Sequence, residues 1–135
     1  GSLYRSQHEL IFVYKNGDLP HTNNIELGVH GRYRTNVWDY PGIFINNKLN
    51  KSNLKLHPTV KPIGLIADII KDASKRNEIV LDCFGGSGST LLAAERTGRK
   101  AYLIEIDTEY CDIIIHRYQT ITGKKAKLLN RIEEI

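Results

Sequence analysis

Methionine is absent from the 135 residues, and cysteine is nearly so. With no initiator, and with Gly1-Ser2 resembling the remnant of a removed tag, the chain is expected to be an excised or designed piece and not a natural whole. The two cysteines, Cys83 and Cys111, give neither a disulfide framework nor a metal-ligand spacing. No metal site is expected, and a reducing cytoplasm is the default compartment. No apolar run approaches the ~20 residues of a membrane span, so no membrane partner is expected. No secretory leader is expected, and the residues show no repeat and no low-complexity tract.

What is there is an ordinary globular composition, 41% hydrophobic and 25% charged, at a length that suits one modest domain. A net charge of +4 with a pI near 9.1 suits a nucleic-acid partner without requiring one.

The most informative stretch is Ile79-Val80-Leu81-Asp82-Cys83-Phe84-Gly85-Gly86-Ser87-Gly88-Ser89-Thr90. Ile79 to Leu81 reads as a short buried strand, and Leu91-Leu92-Ala93-Ala94 opens a helical pattern. Between them lies a loop rich in glycine. Strand, glycine loop and helix together bring a ligand against backbone N–H groups at a helix N-terminus. The glycines remove the Cβ atoms that would hold the ligand off.

Spacing excludes both common phosphate cradles. A dinucleotide fingerprint counted from Gly86 needs a third glycine where Leu91 stands, and a phosphate loop counted from Gly85 needs one at Thr90. The string D-C-F-G-G-S-G-S-T, residues 82–90, instead resembles the cofactor loop of the amino-methylating DNA methyltransferases. Those enzymes make N6-methyladenine or N4-methylcytosine from S-adenosylmethionine. The resemblance implies an α/β, Rossmann-like S-adenosylmethionine-dependent methyltransferase fold. It implies cofactor contacts from Asp82, Phe84, Gly85, Gly86, Ser87, Gly88, Ser89 and Thr90.

Upstream, Glu9 to Lys15 is rich in β-branched and aromatic residues, and Asn16-Gly17-Asp18 closes it, so a strand is expected near 8–15. Gln7, His8 and Glu9 suggest either acid/base chemistry or a polar strand entrance. Residues 16–57 are irregular, broken by Asn23-Asn24, Gly28, Gly31, Pro41-Gly42 and Asn46-Asn47. Within them Arg32, Arg34, Asn36 and Trp38 mix cations, an amide and an aromatic, the side chains used for phosphate and base-edge contacts. Arg32 and Arg34 stand two apart, so extended backbone would aim both at one surface. The alternative is a plain connecting loop. In the family this chain resembles, the target-recognition segment occupies that position, which implies double-stranded DNA as a partner.

His57-Pro58-Thr59-Val60-Lys61-Pro62 then looks like the segment that these enzymes place against the methionine end of the cofactor. On that resemblance His57, Pro58, Thr59 and Lys61 join the cofactor residues, with Lys61 offering a cation to a carboxylate. Taken alone, the same string is a proline-capped helix start. Pro62 suits a first helical position, and the helix is expected to run to about residue 76 on an apolar stripe of Ile63, Ile66, Ile69, Ile70 and Ala73.

Beyond the loop, the second helix should stop at Gly98. A buried strand over residues 100–105 then ends in acids. Glu105 stands 17 positions past Gly88, near the ~20-residue spacing at which an acid meets ribose hydroxyls in dinucleotide folds. Asp107 is either a second cofactor contact or the N-cap of the next helix, which should end at Gly123. A last strand is expected over 125–129, giving four strands in an incomplete sheet.

The same resemblance implies a gap. The family's catalytic loop is D/N/S-P-P-Y/F/W, and no two of Pro20, Pro41, Pro58 and Pro62 are adjacent. The chain is therefore expected to be one methyltransferase domain fragment over 1–135. Residues 16–57 are its DNA-recognition segment, residues 58–135 its cofactor-binding part, and no catalytic residue is named. Its implied partners are DNA and either the missing catalytic half or a second copy of itself. Two other readings stand beside this one. The first is a DNA-binding or regulatory module that has lost catalysis, and the second a cofactor domain acting on RNA or small molecules.

Overall fold

The computed structural model describes residues 3–4, 6–41 and 60–129. Five regular elements follow one another: α1 (Ile63–Ala73), β1 (Ile79–Asp82), α2 (Ser89–Thr97), β2 (Lys100–Leu103) and α3 (Thr108–Thr122). β1 and β2 pair in parallel, Ile79 opposite Lys100 and Asp82 opposite Leu103, with α2 as the crossover between them. This is the repeating β-α-β unit of an open α/β sheet, and the fold is an incomplete member of the Rossmann-like class.

Pro62, with φ −59°, stands as the N-cap of α1 and not inside it. The helix stops at Ala73, short of the expected residue 76, because Ser74 turns extended and its hydroxyl donates to the Ile70 carbonyl at 2.5 Å. α2 begins and ends where glycines permit left-handed backbone, Gly88 at φ +79° and Gly98 at φ +72°. α3 ends at Gly123, as its sequence predicts.

The core is small and sits on one face of the sheet. Ile70 of α1 packs against Ala93 and Ala94 of α2, with Ile63, Ile66, Ala67, Val80 and Ala101 around them. The two alanines have no accessible surface, so α2 lies close under α1 and the strands. On the opposite face Ile79, Leu81, Tyr102 and Ile104 are exposed. Parallel strands are ordinarily covered on both faces.

Two expected strands do not form. Residues 8–15 and 125–129 carry no ladder pairing, and Val13 and Leu129 stand in solvent. Strand preference expresses itself only against a neighbouring strand and a buried face, and neither segment has them among the described residues. The sheet described therefore has two strands, where the sequence suggested four.

Candidate functional site

β1 delivers Asp82 to the end of the sheet, and the chain turns at once. The Asp82 carboxylate accepts from the Phe84 N–H at 3.0 Å, the Gly85 N–H donates to the Ile104 carbonyl at 2.9 Å, and Gly88 closes the loop onto the Gly85 carbonyl at 2.8 Å. Gly85 and Gly88 are buried against the sheet end and α3. A Cβ on Gly85 would lie 3.2 Å from Leu103 and Ile114, and one on Gly88 3.1 Å from Ile114. These two glycines therefore serve close packing, and Gly88 does not line the cavity.

Glu105, beyond the end of β2, reaches back to the loop. One carboxylate oxygen accepts from the Gly86 N–H at 2.6 Å and the other from the Asp107 N–H at 3.0 Å. An acid 19 positions downstream thus holds the glycine loop in shape. Asp107 resolves as a cap, its carboxylate accepting from the Glu109 N–H at 2.8 Å, and it also borders the cavity.

Loop, helix start and acids enclose a cavity of about 410 Å³, within the range of small-molecule sites. Its lining takes in most of the anticipated residues: Lys61, Asp82, Phe84, Gly85, Gly86, Ser87, Ser89, Thr90, Glu105 and Asp107. Phe84 is 88% exposed, a bare aromatic face at the cavity wall. The Ser89 hydroxyl donates to the Lys61 carbonyl at 3.0 Å, tying the 60–62 stretch to the helix start. The Lys61 ammonium meets the Glu9 carboxylate at 2.5 Å. Glu9 therefore acts as a counter-ion at the rim, and neither His8 nor Gln7 joins it. His57, Pro58 and Thr59 lie outside the described residues.

Three contributors are not evident from sequence. Ile66 reads as core and Tyr110 carries no sequence signal, yet both line the cavity. Arg117 of α3 donates to the Ser87 carbonyl, 30 positions away, from a site whose burial lowers its pKa. No local spacing announces that contact.

The anticipated DNA-facing residues divide. Arg32 and Asn36 are exposed. Arg34 is not a free cation. Its Nε and Nη2 donate to Asp72 at 3.0 and 2.5 Å, Nη1 lies 3.7 Å from Asp68, and the guanidinium sits 4.5 Å over the Trp38 ring. The Asp72 hydrogen bonds, with the charges of Asp72 and Asp68, hold the Arg34 pKa above its ordinary value against the desolvation. No group of three or more His, Cys, Asp or Glu capable of holding a metal occurs among the described residues, and no described helix is long and apolar enough to cross a membrane.

The family described as DNA methylase, of the N6/N4 class, matches residues 2–116. DNA adenine methyltransferase YhdJ of Escherichia coli K12 is 33% identical over 129 residues, which cover 96% of this chain and 40% of that protein. The type II methyltransferase M1.MboII of Moraxella bovis is 39% identical over 108 residues, covering 79% and 42%. The solved M1.HpyAVI–SAM complex is 40% identical over 48% of this chain and 32% of its own, with a TM-score of 0.45. The chain spans about 40% of the length of the curated relatives it matches.

Proposed function

The chain belongs to the DNA methylase family of the N6/N4 class, and from that membership we propose that it is the cofactor-binding and DNA-binding portion of an amino-methyltransferase. The observation that carries the reading is the cavity where the glycine loop, the start of α2 and the Glu105 carboxylate meet. The residues suit S-adenosylmethionine. A carboxylate offers about four acceptor sites, so Glu105 can hold the loop and also accept from vicinal ribose hydroxyls. Phe84 and Tyr110 offer flat apolar surface to a purine ring. Lys61, at the rim, offers an ammonium to a carboxylate, in competition with Glu9. When bound, the cofactor supplies an electrophilic methyl group, and this chain's residues bind and orient it.

Double-stranded DNA is the proposed macromolecular partner, met by Arg32, Asn36 and the edge of Trp38. The bare sheet face of Ile79, Leu81, Tyr102 and Ile104 suits a complementing catalytic half, in the same polypeptide or another, more than it suits water. With no D/N/S-P-P-Y/F/W loop in the chain, methyl transfer is not expected from it alone. Tritium from labelled cofactor should stay out of mixed-sequence duplex, and incorporation above a heat-killed control would contradict this.

The decisive experiment is calorimetric titration with S-adenosylhomocysteine. Glu105→Gln should weaken binding roughly tenfold to a hundredfold, the worth of a charge-assisted hydrogen bond. It should also lower the melting temperature, because the amide NH2 must face the N–H of Gly86 or of Asp107. An affinity within about twofold of the parent would sink the assignment of Glu105 to the cofactor. A parent that binds DNA but no cofactor would favour the regulatory-module reading instead.

A further inference from the structure

Residues 24–40 contain no helix or strand, yet their side-chain contacts fall on one line along α1. That line is made of Gly64, Asp68 and Asp72, spaced four apart and so stacked on one helix face. Each position receives a group from the segment. The Tyr40 ring lies over Gly64, where a Cβ would stand 3.4 Å from Cε1, and its hydroxyl donates to Asp68. Arg34 donates twice to Asp72. Past the helix end, the Asn24 side-chain amide donates to the carbonyls of Lys71 and Ser74 at 2.7 and 2.8 Å, and its backbone N–H to that of Asp72 at 3.0 Å. Asn24 thus caps the C-terminus of α1 from outside the helix. The segment runs antiparallel to α1, fixed at three heights.

From this geometry we infer that Arg34 is a positioning residue, which with Asp72 and Asp68 sets where residues 24–40 present Arg32 and Asn36 to DNA. The inference rests on the DNA-binding reading for its consequence, though not for the clamp itself. Electrostatics argues the same way. A guanidinium with a carboxylate at 2.5 Å and another at 3.7 Å is already neutralised, and moving it onto a phosphate would leave Asp72 without its cation, since Lys71 pairs with Asp68. α1 also carries Ile66 into the cofactor cavity. One helix thereby fixes the relation of the recognition segment to the cofactor.

The test compares Arg34→Gln, Asp72→Asn and Arg32→Gln in the full 135-residue chain, with helix content followed by circular dichroism. Trp38 is the sole tryptophan and stacks on Arg34, so its emission reports the clamp without any DNA. Emission should shift in Arg34→Gln and Asp72→Asn and stay put in Arg32→Gln. Binding to mixed-sequence duplex, read by anisotropy across salt, should weaken about fivefold in both clamp variants, within the range of coupling between contacting residues. The salt slope should stay unchanged in both, whereas Arg32→Gln should lower it by about one. If Arg34 were a phosphate ligand, its removal would cost that unit of slope, and Asp72→Asn, which removes a negative charge, would tighten binding. Either result overturns the inference, as does an unmoved Trp38 emission in Asp72→Asn. A parent that binds no duplex would refute the DNA reading and leave the emission arm to judge the clamp.

Discussion

Residues 60–129 and residues 6–41 are held by different means. The first region has a parallel ladder, three helices and a core in which Ala93 and Ala94 see no solvent. The second has no regular element and leaves Leu10, Phe12, Val13 and Tyr14 exposed. It is secured by side chains of Asn24, Arg34 and Tyr40 on one face of α1 and by Glu9 at Lys61. Burial of apolar area stabilises roughly 25 cal/mol per Å² and does so cooperatively, while partly exposed ion pairs contribute at most about 1 kcal/mol each. The first region should melt as a unit. The second should detach before it.

A matched pair of glycines gives the largest expected break in that contrast. Gly88 and Gly17 have nearly the same φ, +79° and +82°, but a Cβ meets Ile114 at 3.1 Å in one and nothing within 4 Å in the other. Gly88→Ala should destabilise the chain by about 2–4 kcal/mol, left-handed strain plus overpacking between α2 and α3. Gly17→Ala carries similar local strain in a region that unfolds separately, so its thermal midpoint should match the parent. Equal losses in the two variants would mean that the regions unfold together.

Acid should sharpen the contrast by a smaller amount. Lys71 and Tyr40, bonded to Asp68, hold its pKa below the ordinary 3.8. The folded value being the lower one, this stabilisation is complete above about pH 4 and is lost as pH falls through the depressed value. Trp38 emission should change below pH 4 at a higher pH than the helix signal does. Coincident transitions would argue that the clamp is not the weak point. Glu95, lowered by its hydrogen bond to Lys124, belongs to the α2–α3 region and should follow the helix signal.

How much of this was legible beforehand follows the same division. The glycine loop, the caps at Gly98 and Gly123 and the acid at Glu105 are local patterns, and the cavity assembles from residues read off D-C-F-G-G-S-G-S-T and the strand end. Spacing points Glu105 toward a ligand and does not show its hold on the loop through Gly86, because spacing gives a position and not a set of partners. The expected strands at 8–15 and 125–129 failed because a ladder is a property of two segments. Arg34 shows the same limit. Its neighbour in sequence, Arg32, suggested a shared surface, while its partner stands 38 positions away on α1. The spacing of Gly64, Asp68 and Asp72 is visible in the sequence, but spacing along one helix does not say which segment packs on that face.

The span of those contacts also orders assembly. β1 meets β2 across 21 positions, Ile79 to Lys100, with α2 filling the interval, whereas the Asn24 amide reaches Ser74 across 50. Closing the longer loop costs about 0.8 kcal/mol more in chain entropy, and it closes onto a helix end that must already exist. Residues 24–40 leave the ribosome before α1 does, so for the time taken to make the next forty or so residues, about 2–8 seconds at ordinary elongation rates, they have nothing to grip. A segment in which apolar residues are interrupted by Glu26, Gly28, His30, Gly31, Arg32, Arg34, Thr35, Asn36 and Asp39 tolerates that wait in water. An apolar strand in its place would spend the same seconds exposed to association.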